Sequence, residues 1–256
     1  MAITAQDVKN LREMTGCGMM DCKKALAASE GDMDKAIEWL REKGLAASAK
    51  KAGRIAAEGM AYACVVDGIG VAVEVNAETD FVGKNEKFVD FVKGVANTVA
   101  KCNPADLDAL MECKYDGTDL TVLQQQQEMV LVIGENIKVR RFARFEGGFS
   151  VPYIHAGGKI GVLVNLEGTG GIDATEIGKD MAMQIAALNP RFWDKSQVTQ
   201  DVLDEEKKIM LAQMANDPKM ASKPDQVKEK IVLGKLNKFY SENCLLQQAF
   251  VKDGAG

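Results

Sequence analysis

The spacing of apolar residues changes several times along the chain, and each spacing predicts a different element. An apolar run at residues 60–66 leads into Asp67-Gly68, and at residues 71–75 valines alternate with other residues. This pattern predicts two strands joined by a two-residue hairpin turn. Over residues 85–100 the apolar positions recur at helical spacing, and Asn103-Pro104 follows them. We therefore expect a β-hairpin followed by an amphipathic helix.

The same order of elements recurs later in the chain. A strand, a glycine turn, a second strand and a helix are predicted at residues 151–155, 157–158, 160–166 and 175–188. Gly-Val-x-Val stands at residues 70–73 and again at residues 161–164. We therefore predict a duplicated core in which each antiparallel hairpin buries one face under a helix.

Two further elements lie between the copies. Residues 120–132 have the spacing of a helix, and residues 137–145 alternate as a strand with one basic face. That basic face is either a solvated sheet surface or a contact for acidic groups of a partner. We favour the solvated surface, because charged strand faces usually meet water.

The first residues of the chain carry only helical patterns. Residues 3–44 predict three short helices, with Thr4 and Asp32 as N-caps. The glycine turn Thr15-Gly16-Cys17-Gly18 ends the first helix and Gly44 ends the third. Residues 46–57, rich in Ala and Lys, follow as a solvated helix or a mobile connector.

Helical patterns return near the end of the chain. Residues 198–214 and 224–239 each carry a narrow apolar stripe, and Asn216-Asp217-Pro218-Lys219 separates them. Two narrow stripes predict an antiparallel helical hairpin. The hairpin either projects from the core or packs onto it. Helices at both ends around hairpins in the middle predict an α+β fold.

Composition excludes several classes of function. With 256 residues the chain has room for two or three modules, and its formal charge of -5 argues against affinity built on nucleic-acid phosphates. No apolar stretch is long enough to span a membrane. The first residues lack the basic and apolar regions of a signal peptide, so we expect a cytoplasmic protein.

The residues that usually carry chemistry are sparse. Six cysteines are scattered without a CxxC pair, and His155 is the single histidine. We therefore expect reduced, packed thiols and no zinc site. Phosphate-binding glycine motifs are also absent from the sequence. We expect no metal, no cofactor and no catalytic residues, and so a protein that is not an enzyme.

The most distinctive stretch connects the first predicted hairpin to its helix. Residues 74–86 are acidic and polar, and they hold one large apolar side chain, Phe81. In the structural interpretation, Asp80 or Asn85 caps the helix and Phe81 packs into the local core. The corresponding connection in the second copy, residues 168–173, has no Phe. This difference favours a task for Asp80 and Phe81 beyond joining two elements.

Three other side chains are candidates for contact with a partner. Met19 and Met20 follow the glycine turn, where they form either an adaptable contact surface or part of the core. His155 precedes Gly157-Gly158 and is either a partly buried hydrogen-bonding residue or a contact residue.

Two long motifs resemble signatures of a known family. Leu-Arg-Glu-Met-Thr-Gly-Cys-Gly-Met-Met-Asp-Cys-Lys-Lys-Ala-Leu at residues 11–26 and Glu-Val-Asn-Ala-Glu-Thr-Asp-Phe-Val at residues 74–82 resemble the two signatures of bacterial elongation factor Ts. The resemblance continues at residues 134–141 and 153–155. The order and separation of the motifs make it specific, and it covers nearly the whole chain.

The resemblance implies a domain organisation. Its parts are a UBA-like three-helix domain at 1–46, a linker at 47–57, a core N-subdomain at 58–150, a core C-subdomain at 151–196 and 239–256, and a helical hairpin at 197–238. It also implies that the hairpin projects as a coiled-coil arm, through which some members of the family form homodimers.

The resemblance further implies a guanine-nucleotide exchange factor that binds elongation factor Tu, both GDP-bound and nucleotide-free. Thr79, Asp80, Phe81 and Val82 would then disturb the partner's magnesium and nucleotide site and promote GDP release. Secondary contacts would come from Leu11, Met19, Met20 and His155. Neither nucleic acid nor a membrane is an expected partner.

Two other classes of function stay open at this point. One is a docking or adaptor protein that uses the three-helix bundle and has no exchange activity. The other is a metabolic enzyme, which the single histidine and the missing phosphate and metal motifs disfavour.

Overall fold

The computed structural model of the protein describes residues 3–15 and 17–253. The chain forms two compact units, one that ends at Lys179 and one that begins at Asp180. Helices and two small antiparallel sheets make up the fold, which confirms the predicted α+β class. The predicted glycine turn at residues 15–18 includes Gly16, which lies outside the described residues.

The first unit opens with three helices that share one small core. They are α1 (Ala5–Thr15), α2 (Met19–Ala28) and α3 (Met33–Lys51). Asp7 N donates to Thr4 Oγ1 at 3.1 Å, and Lys35 N donates to the carboxylate of Asp32 at 3.0 Å. Both predicted N-caps are therefore confirmed. The core between the helices contains Val8, Leu11, Cys17, Cys22, Ala25, Leu26, Ala36 and Leu40.

A three-stranded antiparallel sheet, in the order β1-β2-β3, and three helices follow. The elements are β1 (Glu58–Val66), β2 (Ile69–Ala77), α4 (Glu86–Cys102), α5 (Leu107–Glu112), α6 (Val122–Ile133) and β3 (Lys138–Phe145). Asp67 and Gly68 have φ angles of 49° and 80°, which make the predicted two-residue turn between β1 and β2.

The apolar face of α4 packs against the inner face of this sheet. Helical spacing brings five side chains to that face, and alternation brings three valines of β2 to meet them. The residues involved are Phe88, Phe91, Val92, Val95 and Val99 of α4, with Val71, Val73 and Val75 of β2. Each of these side chains is nearly or fully buried and stabilises the fold by about 1.5–3 kcal/mol. This core fixes where the connection between β2 and α4 begins and ends.

The third helix continues past Gly44, so the prediction that Gly44 ends it was wrong. Gly44 is buried where α3 packs against α6. A Cβ atom at this position would lie 3.2 Å from the carbonyl oxygen of Gln127. The glycine thus permits close approach of two helices and is not a helix stop. The helix ends at Lys51, beyond the predicted boundary at residue 46, and residues 52–57 are non-helical.

A second, two-stranded sheet follows. It contains β4 (Phe149–His155) and β5 (Ile160–Leu166), and α7 (Thr175–Leu188) comes next. The sheets approach closely, since Ala61 N donates to Gly158 O at 2.7 Å. Both α4 and α7 are followed by an asparagine with a left-handed backbone, Asn103 at φ 49° and Asn189 at φ 45°. This shared ending supports the predicted duplication, which stays a prediction.

The second unit contains a pair of long helices, α8 (Gln200–Asn216) and α10 (Asp225–Asn243), with the single turn α9 (Pro218–Ala221) between them. At one end Met214 packs with Val232 and Leu236, and at the other Val198 packs with Phe239. The start of α8 therefore meets the end of α10, so the pair is antiparallel, as the apolar stripes predict. The predicted projection of the pair from the core stays a prediction.

One pair of cysteines differs from the expectation that all thiols are reduced. Cys102, the last residue of α4, and Cys113, which follows α5, form a disulfide with Cα atoms 6.5 Å apart. The short helix α5, which the sequence patterns did not predict, folds the chain back and brings the two residues together. Cys17, Cys22, Cys64 and Cys244 are free thiols, and all are buried or half-buried as predicted.

Candidate partner-binding site

The connection between β2 and α4 is fixed at its far end by a helix cap. The chain leaves β2 at Ala77, makes a 3₁₀ turn at Val82–Lys84 and enters α4 at Glu86. Asn85 Oδ1 accepts hydrogen bonds from Lys87 N at 3.0 Å and from Phe88 N at 3.4 Å. Of the two caps considered, Asn85 is therefore the one that begins the helix.

Two neighbouring side chains of this connection have opposite environments. Phe81 is 80% exposed, and Val82 beside it is buried in the main core. The structural interpretation in which Phe81 packs into its own core was therefore wrong. An exposed Phe forgoes about 1.5–3 kcal/mol of burial energy, which a partner can recover by covering it. Asp80, which directly precedes Phe81 in the chain, is also exposed.

The near end of the connection is held by a residue that the sequence analysis missed. Glu135 lies between α6 and β3 and accepts hydrogen bonds from the backbone N–H groups of Glu78 and Thr79, each at 3.0 Å. The Thr79 hydroxyl donates to the other carboxylate oxygen at 2.7 Å. The available signal was its place in Gly134-Glu135-Asn136, directly after a helix that ends in a glycine. Nothing in that signal indicates a partner 56 or 57 residues away.

An open groove lies beside Phe81. It has a volume of about 480 Å³ and separates the connection from the last turn of α6. Apolar and charged side chains line it together, so it can receive an apolar group of a partner. It is lined by Phe81, Val82, Asn85, Glu86, Lys87, Val132, Ile133 and Glu135.

Of the predicted contacts in the three-helix bundle, two are at the surface and one is not. Met19 and Met20 are 58% and 64% exposed at the start of α2, so the alternative that they are core residues was wrong. Leu11 is fully buried in the bundle. Leu11 therefore supports the helices and offers no surface unless that core opens.

His155 lies at the end of β4 and is exposed, so the alternative of a partly buried histidine was wrong. The Tyr153 hydroxyl and His155 Nδ1 are 3.0 Å apart, and the two rings stack with centroids 5.9 Å apart. The hydrogen bond and the stacking orient the imidazole ring. The predicted site residues thus lie on four separate parts of the first unit, namely α1, α2, the connection between β2 and α4, and β4. Only Thr79 to Val82 share one of these parts.

The basic face of β3 is partly neutralised within the chain. Glu74 on β2 accepts from Arg140 at 2.9 Å and from Arg141 at 2.6 Å. Burial acts to raise the pKa of Glu74, but the hydrogen bonds from Arg141, Asn76 and Arg140 outweigh it and lower the pKa. These contacts favour the interpretation of this face as a solvated sheet surface.

The described residues contain neither a cluster of metal ligands nor a membrane-spanning helix. In residues 3–15 and 17–253, no group of three or more His, Cys, Asp or Glu side chains is arranged to hold a metal ion. Over the same residues, no helix combines the length and the apolar character needed to cross a membrane.

Comparison with known proteins gives one consistent result. A family model described as elongation factor TS matches residues 78–255. Elongation factor Ts of Syntrophotalea carbinolica is 47% identical, over 99% of this chain and 84% of that protein. The proteins of the same name from Clostridium perfringens strain SM101 and Halothermothrix orenii are 50% and 46% identical. These alignments cover 98% and 99% of this chain and 83% and 85% of those proteins.

Proposed function

The chain belongs to the elongation factor Ts family, and on this premise we propose that it is the guanine-nucleotide exchange factor of an elongation factor Tu in translation. It binds that partner in its GDP-bound and nucleotide-free forms and promotes release of GDP in the cytoplasm. It does so without cofactor, catalytic chemistry or nucleic-acid contact of its own. The observation that carries the proposal is Phe81, 80% exposed on a connection that is anchored at both ends.

Thermodynamic linkage between the binding of the exchange factor and the binding of the nucleotide sets the coupling free energy that such a factor must supply. An exchange factor and a nucleotide weaken each other's binding to the partner by the same factor. A thousandfold effect on the affinity for GDP corresponds to roughly 4 kcal/mol of coupling. Burial of one Phe side chain contributes about 1.5–3 kcal/mol. Phe81 therefore supplies a large part of the coupling, and the rest comes from the docking surface.

The wedge segment, residues 79–82, has a distinct task for each residue. Phe81 inserts between helices of the partner's nucleotide domain and displaces one of them. Mg²⁺ tolerates little distortion of its octahedral coordination, so a small displacement releases the metal and weakens GDP binding. Asp80 repels acidic groups near the metal. Thr79 and Val82 hold the segment to its own scaffold.

The docking surface is assigned to other parts of the chain. Met19 and Met20 supply an adaptable apolar contact from a UBA-like bundle at residues 1–46, with Leu11 supporting it from within. His155, oriented by Tyr153, supplies a polar contact.

The rest of the domain organisation follows the same family. The core subdomains are 58–150 and 151–196 with 239–256, after a linker at 47–57. The helical pair at 197–238 acts as a coiled-coil arm that can support a homodimer.

The test is release of fluorescent GDP from purified elongation factor Tu. Phe81→Ala should lower the rate of catalysed release by roughly tenfold to a hundredfold, because the wedge is lost. The matched control is Ile172→Ala, since Ile172 is 72% exposed on the corresponding connection of the second predicted copy. That variant should release GDP at the wild-type rate. Undiminished exchange by Phe81→Ala would refute the wedge.

A further inference from the structure

On the basis of this function, we propose that Glu135 is the positioning residue that holds Asp80 and Phe81 in the orientation needed to open the partner. Glu135 does not itself enter the partner. It acts through the backbone of Glu78 and Thr79, to which its carboxylate is bound.

The hydrogen bonds to Glu135 take the place of strand pairing just beyond the end of β2. β2 pairs with β1 as far as Ala77 and with β3 as far as Asn76. The next two backbone N–H groups, of Glu78 and Thr79, have no strand to bond to, and both donate to Glu135 Oε2. The Thr79 hydroxyl donates to Oε1. Three donors thus converge on one carboxylate, whose negative charge strengthens each of the three hydrogen bonds.

A reciprocal set of contacts holds Glu135 in place. The side chain of Glu78 accepts a hydrogen bond from Asn136 N at 2.6 Å, and its carboxylate lies 3.5 Å from the guanidinium of Arg54. Asn136 Nδ2 donates to Arg54 O at 2.8 Å. Lys51 donates to the carbonyl oxygen of Gly134. The turn that contains Glu135 is therefore bonded both to the connection between β2 and α4 and to the end of α3.

The second anchor lies just beyond Phe81. Val82 is buried in the core, and a Cβ atom on Gly83 would lie 2.8 Å from the carbonyl oxygen of Gly59, so the backbone packs tightly there. Only Asp80 and Phe81 stand between the two anchors. Because Phe81 has little contact with its own chain, its direction depends on how the backbone on either side is fixed. Release of one anchor would leave the ring to be ordered in the complex, which slows the step that displaces the nucleotide.

The diagnostic variant is Glu135→Gln. It keeps the size of the side chain but removes the negative charge, so the hydrogen bonds from the two backbone N–H groups become neutral and weaker. The Thr79 hydroxyl must also reverse its bond, since the amide NH₂ group can only donate. The maximal rate of GDP release should fall about tenfold, a change of about 1.4 kcal/mol in the barrier. The concentration for half-maximal release should change by less than about threefold, because the docking surface is intact. The control is Glu112→Gln on α5, an exposed carboxylate that should leave both parameters unchanged.

A spectroscopic readout separates positioning from general stability. With 4-fluorophenylalanine at position 81, the ¹⁹F line should narrow in Glu135→Gln, because the ring moves more freely. Thr79→Val, which removes one donor and keeps the branched shape, should shift the line and the maximal rate in the same direction by a smaller amount. It also supplies the test if Glu135→Gln does not fold. Wild-type line width and rate in the folded variants would overturn the assignment.

A double variant separates failure of this inference from failure of the proposed function. If Glu135 acts through Phe81, adding Glu135→Gln to Phe81→Ala should cause a smaller loss of rate than Glu135→Gln causes in the wild type, because only the placement of Asp80 is left to lose. Additive losses would show that Glu135 acts elsewhere and would overturn the inference, with the wedge intact. Wild-type exchange by Phe81→Ala alone would instead overturn the proposed function.

Discussion

The two strand-to-helix connections of the first unit occupy the same place in the predicted repeat and are built in opposite ways. Between β2 and α4, a carboxylate, a buried valine and an asparagine cap fix the chain around an exposed ring. Between β5 and α7, Gly168, Gly170 and Gly171 all have positive φ angles. Residues 168–173 take part in local hydrogen bonds, from Ile172 N to Thr169 O and from Thr175 to Asp173. A connection alone needs none of the anchors of the first loop. Their presence there indicates that rigidity is useful at this point.

A loop exchange is expected to have the largest effect. The variant Thr79→Gly, Asp80→Thr, Phe81→Gly copies residues 168–170 into the first connection and keeps the buried Val82. It removes the ring of Phe81, the charge of Asp80 and the hydroxyl bond from Thr79 to Glu135 together, so catalysed GDP release should fall at least about a hundredfold. Release of fluorescent GDP from elongation factor Tu measures the loss.

The reverse exchange sharpens this result. Placing Thr-Asp-Phe at residues 168–170 of the otherwise wild-type chain should give no gain in exchange, because no residue like Glu135 holds that backbone. A gain in exchange over the wild-type rate would show that the composition of the loop suffices and that anchoring is not needed.

The sequence predicted local features of this comparison well. Residues 160–166 and 175–188 match β5 and α7, because alternation and helical spacing are local and strong there. The caps Thr4 and Asp32 were also predicted, and Asn85 was one of two candidates, since a cap bonds to backbone two or three residues away. The contrast between the loops was visible in composition alone.

Features that depend on distant residues were not predicted. Glu135 binds backbone more than fifty residues away, and Gly44 matters because of the approach of α6. The disulfide of Cys102 and Cys113 needs the six-residue helix α5, which is too short to show a period. The sequence left open whether Phe81, Met19 and Met20 are buried or exposed. An apolar residue can lie in the core or at the surface, and its position in a pattern does not decide between the two.

Helix caps give the next largest effect, this time on stability. Asn85→Ala should lower the free energy of unfolding by about 1 kcal/mol, since it leaves two backbone N–H groups of α4 without their acceptor. Asp173→Ala in the second connection should cost less, because Asp173 bonds only Thr175 and is fully exposed. Urea unfolding of both variants at neutral pH measures the difference. Equal losses would show that the first helix start is no more firmly anchored than the second.

The smallest expected effect is a change in the free energy of unfolding, and it arises in the strands β2 and β5 that precede the two connections. Glu74 of β2 corresponds to Asn165 of β5 in the repeat, so only the first strand carries a titrating group at this position. Glu74 is bonded to two arginines that are largely exposed, so Glu74→Gln should cost about 0.5–1 kcal/mol at neutral pH. The control is Glu167→Gln, an exposed carboxylate just after β5.

The pH dependence fixes the sign of this contribution. The pKa of Glu74 is lowered by folding from its ordinary value of 4.5, so the folded state favours the charged form. The stabilisation is therefore complete above that value and is lost as the pH falls through the folded pKa. The gap in unfolding free energy between wild type and Glu74→Gln should close below about pH 4.5, where urea titrations at several pH values can follow it. A gap that persisted in acid would mean that a neutral carboxyl group at position 74 is also better bonded than an amide, so the charge of Glu74 would not account for the stabilisation.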